Sequence, residues 1–230
     1  MTDAHCHVTG GDPSVREFLI GRDFIGVHPW EAGELSPEDI RRKTEDLRSR
    51  LSSSVSSPLA SLLGVGEIGL DRLKDRSISP QMREMFEAQL KLALEFHRPV
   101  VLHGAKCWGE VVKTVKKYLS PTSHSRFLFH GFSRSDGLIP DIVALGGFIS
   151  VGPAILNDHA VNYREMVKKI PLDHLLVETD RTEASEAGLS VREVLAKLAE
   201  LRGISADELE RITDANADRF IDRSGVSARS

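Results

Sequence analysis

Short, continuously apolar runs alternate along the chain with longer stretches whose apolar residues recur every three or four positions. The runs Met1–Val8, Asp23–Val27, Leu62–Glu67, Val100–His103, Phe127–His130, Phe148–Val151 and Leu175–Glu178 predict strands. Most are too apolar throughout for one face to meet water, which points to a parallel sheet covered on both faces. Between them lie helices with start signals. Ser36-Pro37-Glu38-Asp39 offers an N-cap, a proline at the first helical position and acidic residues facing the macrodipole. Ser79-Pro80 opens a helix with a core stripe of Met82, Phe86, Leu90, Ala93 and Phe96. Ser190…Glu193 and Ser205…Glu208 are capping boxes with Gly203 as a stop between them, so two consecutive helices are expected near the end of the sequence. The run Ser52-Ser53-Ser54-Val55-Ser56-Ser57-Pro58 reads as a solvated loop.

Strands alternating with helices over 230 residues predict an α/β protein, a (β/α)8 TIM-type barrel forming a single domain over residues 1–230. Glu17-Phe18-Leu19-Ile20 is the candidate for the eighth strand, and its nearness to Asp23 predicts a truncated second βα unit. Composition narrows the function classes. Apolar residues make up 40% and charged residues 28%, a globular balance. A net charge of −4 and a pI near 6.1 exclude a generic polycation, though not a local basic patch. No apolar run approaches the ~18 residues of a membrane span, Met1-Thr2-Asp3-Ala4-His5 lacks a signal-peptide pattern, and two cysteines suit a reducing compartment. A cytoplasmic protein with no membrane partner is expected. No glycine-rich phosphate fingerprint follows an early strand, which weakens a nucleotide-binding alternative.

In barrels of this kind the chemistry sits where strands end at their C-terminal side. There this chain places His5 and His7, His28, Glu67, His103, His130, and finally Glu178 and Asp180. Strand residues two apart face the same way, so His5 and His7 can bind one divalent metal, completed by a carboxylate from a distant strand. Asp3, on that same face, is placed to orient a ligand. His103 and His130 read either as buried hydrogen-bonded histidines or, from their matching positions on successive strands, as ligands. Glu67 and Asp180 end apolar strands, where an unpaired ionised carboxylate is costly and a cation removes that cost. His28, before Pro29 and Trp30, is a packed turn residue or a substrate contact. His97 reads as a helix-end residue, and His124, His159 and His174 as solvated.

With these residues in view, the chain resembles the TatD family of metal-dependent deoxyribonucleases among the amidohydrolase-like barrels. The words that carry the resemblance run in order: Asp3-Ala4-His5-Cys6-His7, Gly26-Val27-His28-Pro29, Gly64-Val65-Gly66-Glu67-Ile68-Gly69-Leu70-Asp71, Phe86 to Ala93, Pro99 to His103, His130-Gly131-Phe132-Ser133, Leu175 to Asp180 and Asn216 to Phe220. The resemblance implies an eight-stranded barrel that hydrolyses DNA phosphodiesters, often as an exonuclease, with two divalent metal ions (Mg, Mn or Zn). Carried over by position, it implies that His5, His7, Glu67 and Asp180 hold one metal, that Glu67 bridges to a second completed by His103 and His130, and that His28 contacts substrate phosphate. Glu178 is implied to be structural or supporting.

Three words depart from the family. The stretch between His7 and Gly26 is short, Gly104-Ala105-Lys106 follows His103, and Arg181-Thr182-Glu183 follows Asp180. Lys106, Arg134 and Arg181 are therefore replacement phosphate contacts or solvated loop charges. The expected reaction is 3′-5′ exonuclease-like hydrolysis by a metal-activated water, with Asp180 as general base and Glu67 as bridging ligand. Without a basic stripe, the expected partner is a DNA strand end or short nucleic acid, engaged by a monomer. The rivals are an amidase, lactonase or phosphotriesterase on the same barrel, and a degenerate non-catalytic scaffold.

Overall fold

A computed structural model of the chain describes residues 1–55, 62–119, 126–183 and 190–222. Among these, eight strands follow one another: β1 (Thr2–Cys6), β2 (Arg16–Leu19), β3 (Phe24–Ile25), β4 (Gly64–Asp71), β5 (Val100–Ala105), β6 (Phe127–Phe129), β7 (Phe148–Val151) and β8 (Leu175–Val177). The helices are α1 (Pro29–Ala32), α2 (Pro37–Val55), α3 (Pro80–Glu95), α4 (Trp108–Tyr118), α5 (Ile139–Ala144), α6 (Val161–Lys168), α7 (Val191–Arg202) and α8 (Ala206–Ile221). None of the described helices is long and apolar enough to cross a membrane. Contacts divide the chain into two compact units, Met1–Ile20 with Leu128–Phe220, and Gly21–Phe127 with Ile221 and Asp222.

In the first unit every strand pairing is parallel. Thr2 of β1 stands opposite Arg16 of β2, Leu128 of β6 opposite Phe148 of β7, and Ile149 of β7 opposite Leu175 of β8. Backbone bonds join the ends of β1 and β8, from Asp180 N–H to the His5 carbonyl (3.0 Å) and from His7 N–H to the Arg181 carbonyl (2.8 Å). The buried runs Phe148–Val151 and Leu175–Val177 have apolar side chains on both faces, as a covered parallel sheet requires. Val194, Leu195 and Leu198 of α7 are buried, and Phe220 of α8 packs its ring on Phe148 and Phe18 at 6.1 and 6.4 Å. Asn216 of α8 is buried and donates to the carbonyls of Leu172 and Leu175, which pins the turn that leads into β8.

The second unit holds β3, β4 and β5, again parallel, with Phe24 opposite Gly64 and Val65 opposite Val100. Ser79 caps α3 by accepting a bond from Met82 N–H (3.1 Å), and the stripe read from the sequence is buried at Met82, Phe86, Leu90 and Ala93. Val111 and Val115 of α4 are also buried.

Three expectations change. The sequence predicts one truncated βα unit, but neither the β1–β2 nor the β2–β3 connection contains a helix. Asp12 turns the first of these, with its carbonyl accepting from Val15 N–H and its carboxylate from Ser14 N–H. The serine run does not begin a loop at Ser52, because α2 continues to Val55. Ser52, Ser53 and Ser54 turn their hydroxyls back onto the carbonyls of Arg48, Ser49 and Leu51, and Leu51 is buried. Residues 56–58 of that run lie outside the described residues. Finally, β4 does not stop at Glu67. Ile68 and Leu70 continue the buried alternation, so the strand carries on to Asp71.

Two consequences can be measured. Replacing Asn216 with Ala leaves two carbonyls without their donor, and urea unfolding should show a loss of about 1–3 kcal/mol. Burial pushes the Cys107 thiol up to about 12, so at pH 8 it is almost wholly protonated. The folded protein should leave Cys107 unalkylated by iodoacetamide, with modification appearing only in denaturant.

Candidate functional site

Within the first unit, β1 and the segment after β8 bring His5, His7 and Asp180 together. The Asp180 carboxylate oxygen Oδ1 lies 3.3 Å from His5 Nε2 and 3.7 Å from His7 Nε2. The His130 ring, at the end of β6, stacks on His5 with centroids 4.0 Å apart, and donor atoms of His5, His130 and Asp180 all lie within 4.8 Å of one another. His5 is fully buried, whereas the Asp180 side chain is 45% exposed. Asp180 adopts a left-handed backbone (φ 52°), held by its N–H bond to the His5 carbonyl.

The donor set fits a divalent cation. A tetrahedral ion with bonds of about 2.0–2.1 Å sets its donors about 3.3 Å apart. The imidazole–carboxylate separations here are at that spacing and beyond the usual hydrogen-bond length. Two neutral imidazoles and a carboxylate suit Zn²⁺, Mn²⁺ or Mg²⁺ in different degrees.

The surrounding residues hold these donors in place. Asp3 accepts from Thr179 N–H (3.0 Å) and Thr179 Oγ1 (2.7 Å), so it orients Asp180 through the backbone before it. Burial raises the Asp3 carboxyl to about 6, against the lowering effect of the Thr179 bonds. Glu178 accepts from Gly131 N–H (2.7 Å) and Ser150 Oγ (2.5 Å), a supporting role that ties β6, β7 and β8 together. Its burial pushes the carboxyl up to about 7; His130 lowers it and Asp180 raises it further.

In the second unit Glu67, His103 and His28 form another group with donor atoms within 4.8 Å. His103 Nδ1 is 2.5 Å from Glu67 Oε1, and His103 Nε2 is 2.8 Å from Asp71 Oδ2. Gly69 stands opposite His103 in the ladder. A Cβ there would lie 2.0 Å from the His103 carbonyl oxygen, so only glycine lets β4 and β5 come this close. His28 is positioned by Gln89, which accepts from Val27 N–H (2.6 Å) and donates to the Val27 carbonyl (3.1 Å). His28 Nδ1 accepts from Trp30 N–H (3.2 Å), so the neutral ring carries its proton on Nε2. That nitrogen, 3.6 Å from Glu67 Oε1, is a donor suited to an anionic oxygen and not a lone pair for a cation.

A cavity of about 980 Å³ in the first unit begins at Asp180 and Glu178 and is lined by Arg134, Asn162, Tyr163 and Lys169, among others. Arg134 is exposed on its rim, where a phosphate contact was expected. Lys106 is exposed just after β5 with a left-handed backbone (φ 58°). Arg181 departs from its expected role in binding substrate. Its side chain is 3% exposed, and its guanidinium donates to Glu17 Oε1 (2.8 Å) and the Val8 carbonyl (3.1 Å). Glu17 also accepts from Gly10 N–H and Thr9 Oγ1, so Arg181 is a buried strut between β2 and the loop after β1.

Glu67 and His103 lie side by side, whereas His130, expected to complete the same metal as His103, lies against His5 and Asp180. Asp71 received no role from the sequence. Its signal was the continued alternation after Glu67, which puts Glu67, Gly69 and Asp71 on one face of β4. His97 has a left-handed backbone (φ 50°) just past α3, as a helix-end residue should. His159 is exposed, His124 lies outside the described residues, and His174 is not solvated as expected but partly buried, its Nδ1–H donating to the Gly147 carbonyl (2.7 Å).

Comparison with known proteins identifies relatives of this chain. The sequence profile of the TatD related DNase family matches residues 21–222. The chain is 28% identical to the uncharacterized metal-dependent hydrolase YabD of Bacillus subtilis (strain 168), covering 85% of this chain and 75% of that one. It is 30% identical to the metal-dependent hydrolase YjjV of Escherichia coli (strain K12) over 76% of this chain and 70% of YjjV. The YjjV crystal structure superposes with a TM-score of 0.72 at 27% identity, covering 91% of this chain and 78% of that chain. A 3′-5′ ssDNA/RNA exonuclease TatD of Pantoea vagans (strain C9-1) is 27% identical over 84% of this chain and 74% of its own length. The chain belongs to the TatD related DNase family of metal-dependent hydrolases.

Proposed function

We propose that this chain is a phosphodiester hydrolase that removes nucleotides from the 3′ end of single-stranded DNA, using two divalent cations. His5, His7, His130 and Asp180 are the donors offered by one unit, and Glu67 and His103 those offered by the other. The observation that carries this reading is the cavity of about 980 Å³ that opens at Asp180, beside imidazole donors spaced for a cation. The exonuclease name of the Pantoea relative supports the choice of substrate.

A divalent cation, when bound, makes water acidic enough to ionise near neutral pH and stabilises negative charge as the phosphodiester is cleaved. The chain's own groups supply the remainder. Asp180 is the most exposed carboxylate of its centre and faces the cavity, so it is the group placed to accept the proton of the attacking water. In the second unit His28, with its proton on Nε2, is a donor for a phosphate oxygen, and in the first unit Arg134 on the cavity rim is a cation for a phosphate. Glu178 holds the Gly131 backbone and the Ser150 hydroxyl, which keeps the floor of the cavity fixed below Asp180. With a net charge of −4, attraction to nucleic acid is local, and a strand end fits better than a long duplex track.

A panel of single-stranded DNA, RNA, small phosphoesters and lactones tests the reading. Single-stranded DNA labelled at its 5′ end should be shortened to a ladder in Mn²⁺ or Mg²⁺ and left whole in EDTA. Lactone hydrolysis without any DNA shortening contradicts it. Glu67→Gln should abolish turnover while circular dichroism stays unchanged. Arg134→Ala should lower kcat/KM roughly 10- to 100-fold, mostly through KM, as expected for one lost charge-assisted bond.

A further inference from the structure

Only three large apolar side chains are prominently exposed among the described residues, and two of them, Trp30 (49%) and Leu73 (53%), belong to the second unit. Trp30 lies on α1, two residues past His28, and the two rings meet nearly at right angles (80°) with centroids 5.0 Å apart. Pro29 and Ala32 already supply the buried face of α1, so packing does not call for an indole at this position. An edge-to-face contact covers one side of the indole at most, which leaves aromatic surface open beside His28. That surface is held firmly. Pro29 fixes the backbone at the helix start, Trp30 N–H donates to His28 Nδ1 (3.2 Å), and Ala32 N–H donates to the His28 carbonyl (2.9 Å). The two carboxylates that follow Trp30 are each neutralised, Glu31 by Lys43 (2.6 Å) and Glu34 by Lys74 (2.8 Å). The second pair also ties the turn that carries Leu73 to the segment after α1.

We infer that Trp30 is a stacking platform for one nucleobase of the single strand whose phosphate His28 meets. This role rests on the reading of His28 as a phosphate contact, and it adds the part of the substrate that this contact leaves out. An unpaired strand presents apolar base faces beside a charged backbone. A phosphate donor with an open aromatic surface one ring away matches that alternation. Every base has a π-face, so such a platform holds a strand without reading its sequence. Within a duplex the bases cover one another, and the platform finds no free face. Stacking also supplies affinity that a chain of net charge −4 does not draw from a basic groove.

Intrinsic fluorescence tests the platform, because the one other tryptophan, Trp108, is buried (3%). An oligothymidylate whose phosphorothioate linkages resist cleavage should quench the emission of the wild-type protein in Mg²⁺ and leave that of Trp30→Phe unchanged. In shortening assays with unmodified oligothymidylate, Trp30→Ala should raise KM roughly 5- to 150-fold, and Trp30→Phe should restore most of the loss. An abasic nucleotide moved stepwise from the 3′ end should reach a position that raises KM in the wild-type protein but not in Trp30→Ala. A residue that only shaped the fold would not show this coupling. Equal quenching in the wild-type and Trp30→Phe proteins, or an unchanged KM in folded Trp30→Ala protein, overturns the inference, and continued shortening of DNA then leaves the nuclease reading standing. Quenching that depends on Trp30 in a wild-type protein that shortens no DNA upholds the platform and overturns the nuclease reading. A wild-type protein that shows neither quenching nor shortening overturns both. If Trp30→Ala does not fold, the quenching of the wild-type protein against that of Trp30→Phe decides.

Discussion

An ionised carboxylate at the end of a buried strand is costly unless donors or positive charge meet it. This chain places carboxylates there repeatedly, with Glu67 and Asp71 buried on β4, Glu178 buried after β8 and the half-exposed Asp180 two residues further on. Each carboxylate is met differently. Asp71 is met by backbone N–H groups and an imidazole, Glu178 by Gly131 and Ser150, and Glu67 and Asp180 mainly by imidazoles. The first two are satisfied within the protein. Asp180 faces the ring nitrogens of His5 and His7 at 3.3 and 3.7 Å, a spacing that a cation would bridge, whereas Glu67 lies within direct hydrogen-bond reach of His103 Nδ1 at 2.5 Å.

The supporting layer explains why the donors stay where they are. Asp3 grips Thr179, one residue before Asp180, and Arg181, one residue after, is locked onto Glu17 and Val8. Asp180 therefore sits between two fixed points in a left-handed conformation that a free loop residue would rarely keep. In the other unit Gln89 clamps Val27 and thereby aims His28. Buried polar groups with complete sets of partners rigidify a site in this way.

Much of this was legible in the sequence. Continuous apolar runs marked the strands, serine–proline pairs marked the helix starts, and polar residues just past each run marked the donors. What escaped did so for physical reasons. Asp71 was hidden because the strand was ended at its first charged residue, although the alternation of Ile68 and Leu70 carried it four residues further. Arg181 was read as a surface cation because arginines usually are, and only the buried Glu17 carboxylate, more than 160 positions away, makes it a strut. The serines after Leu51 looked like loop because serine competes with helical bonding, yet here the hydroxyls bond back into the helix and Leu51 anchors it. The β1–β2 connection lacked a helix because a crossover of nine residues, His7 to Val15, leaves no length for one.

The most direct measurement is an anomalous difference map from crystals grown with Mn²⁺. Peaks about 2.0–2.3 Å from His5 Nε2, His7 Nε2 and Asp180, and others at the same range from Glu67 and His103 Nδ1, are the predicted result. A well-ordered map without density at either place, with these imidazoles and carboxylates bonded only to one another, contradicts it.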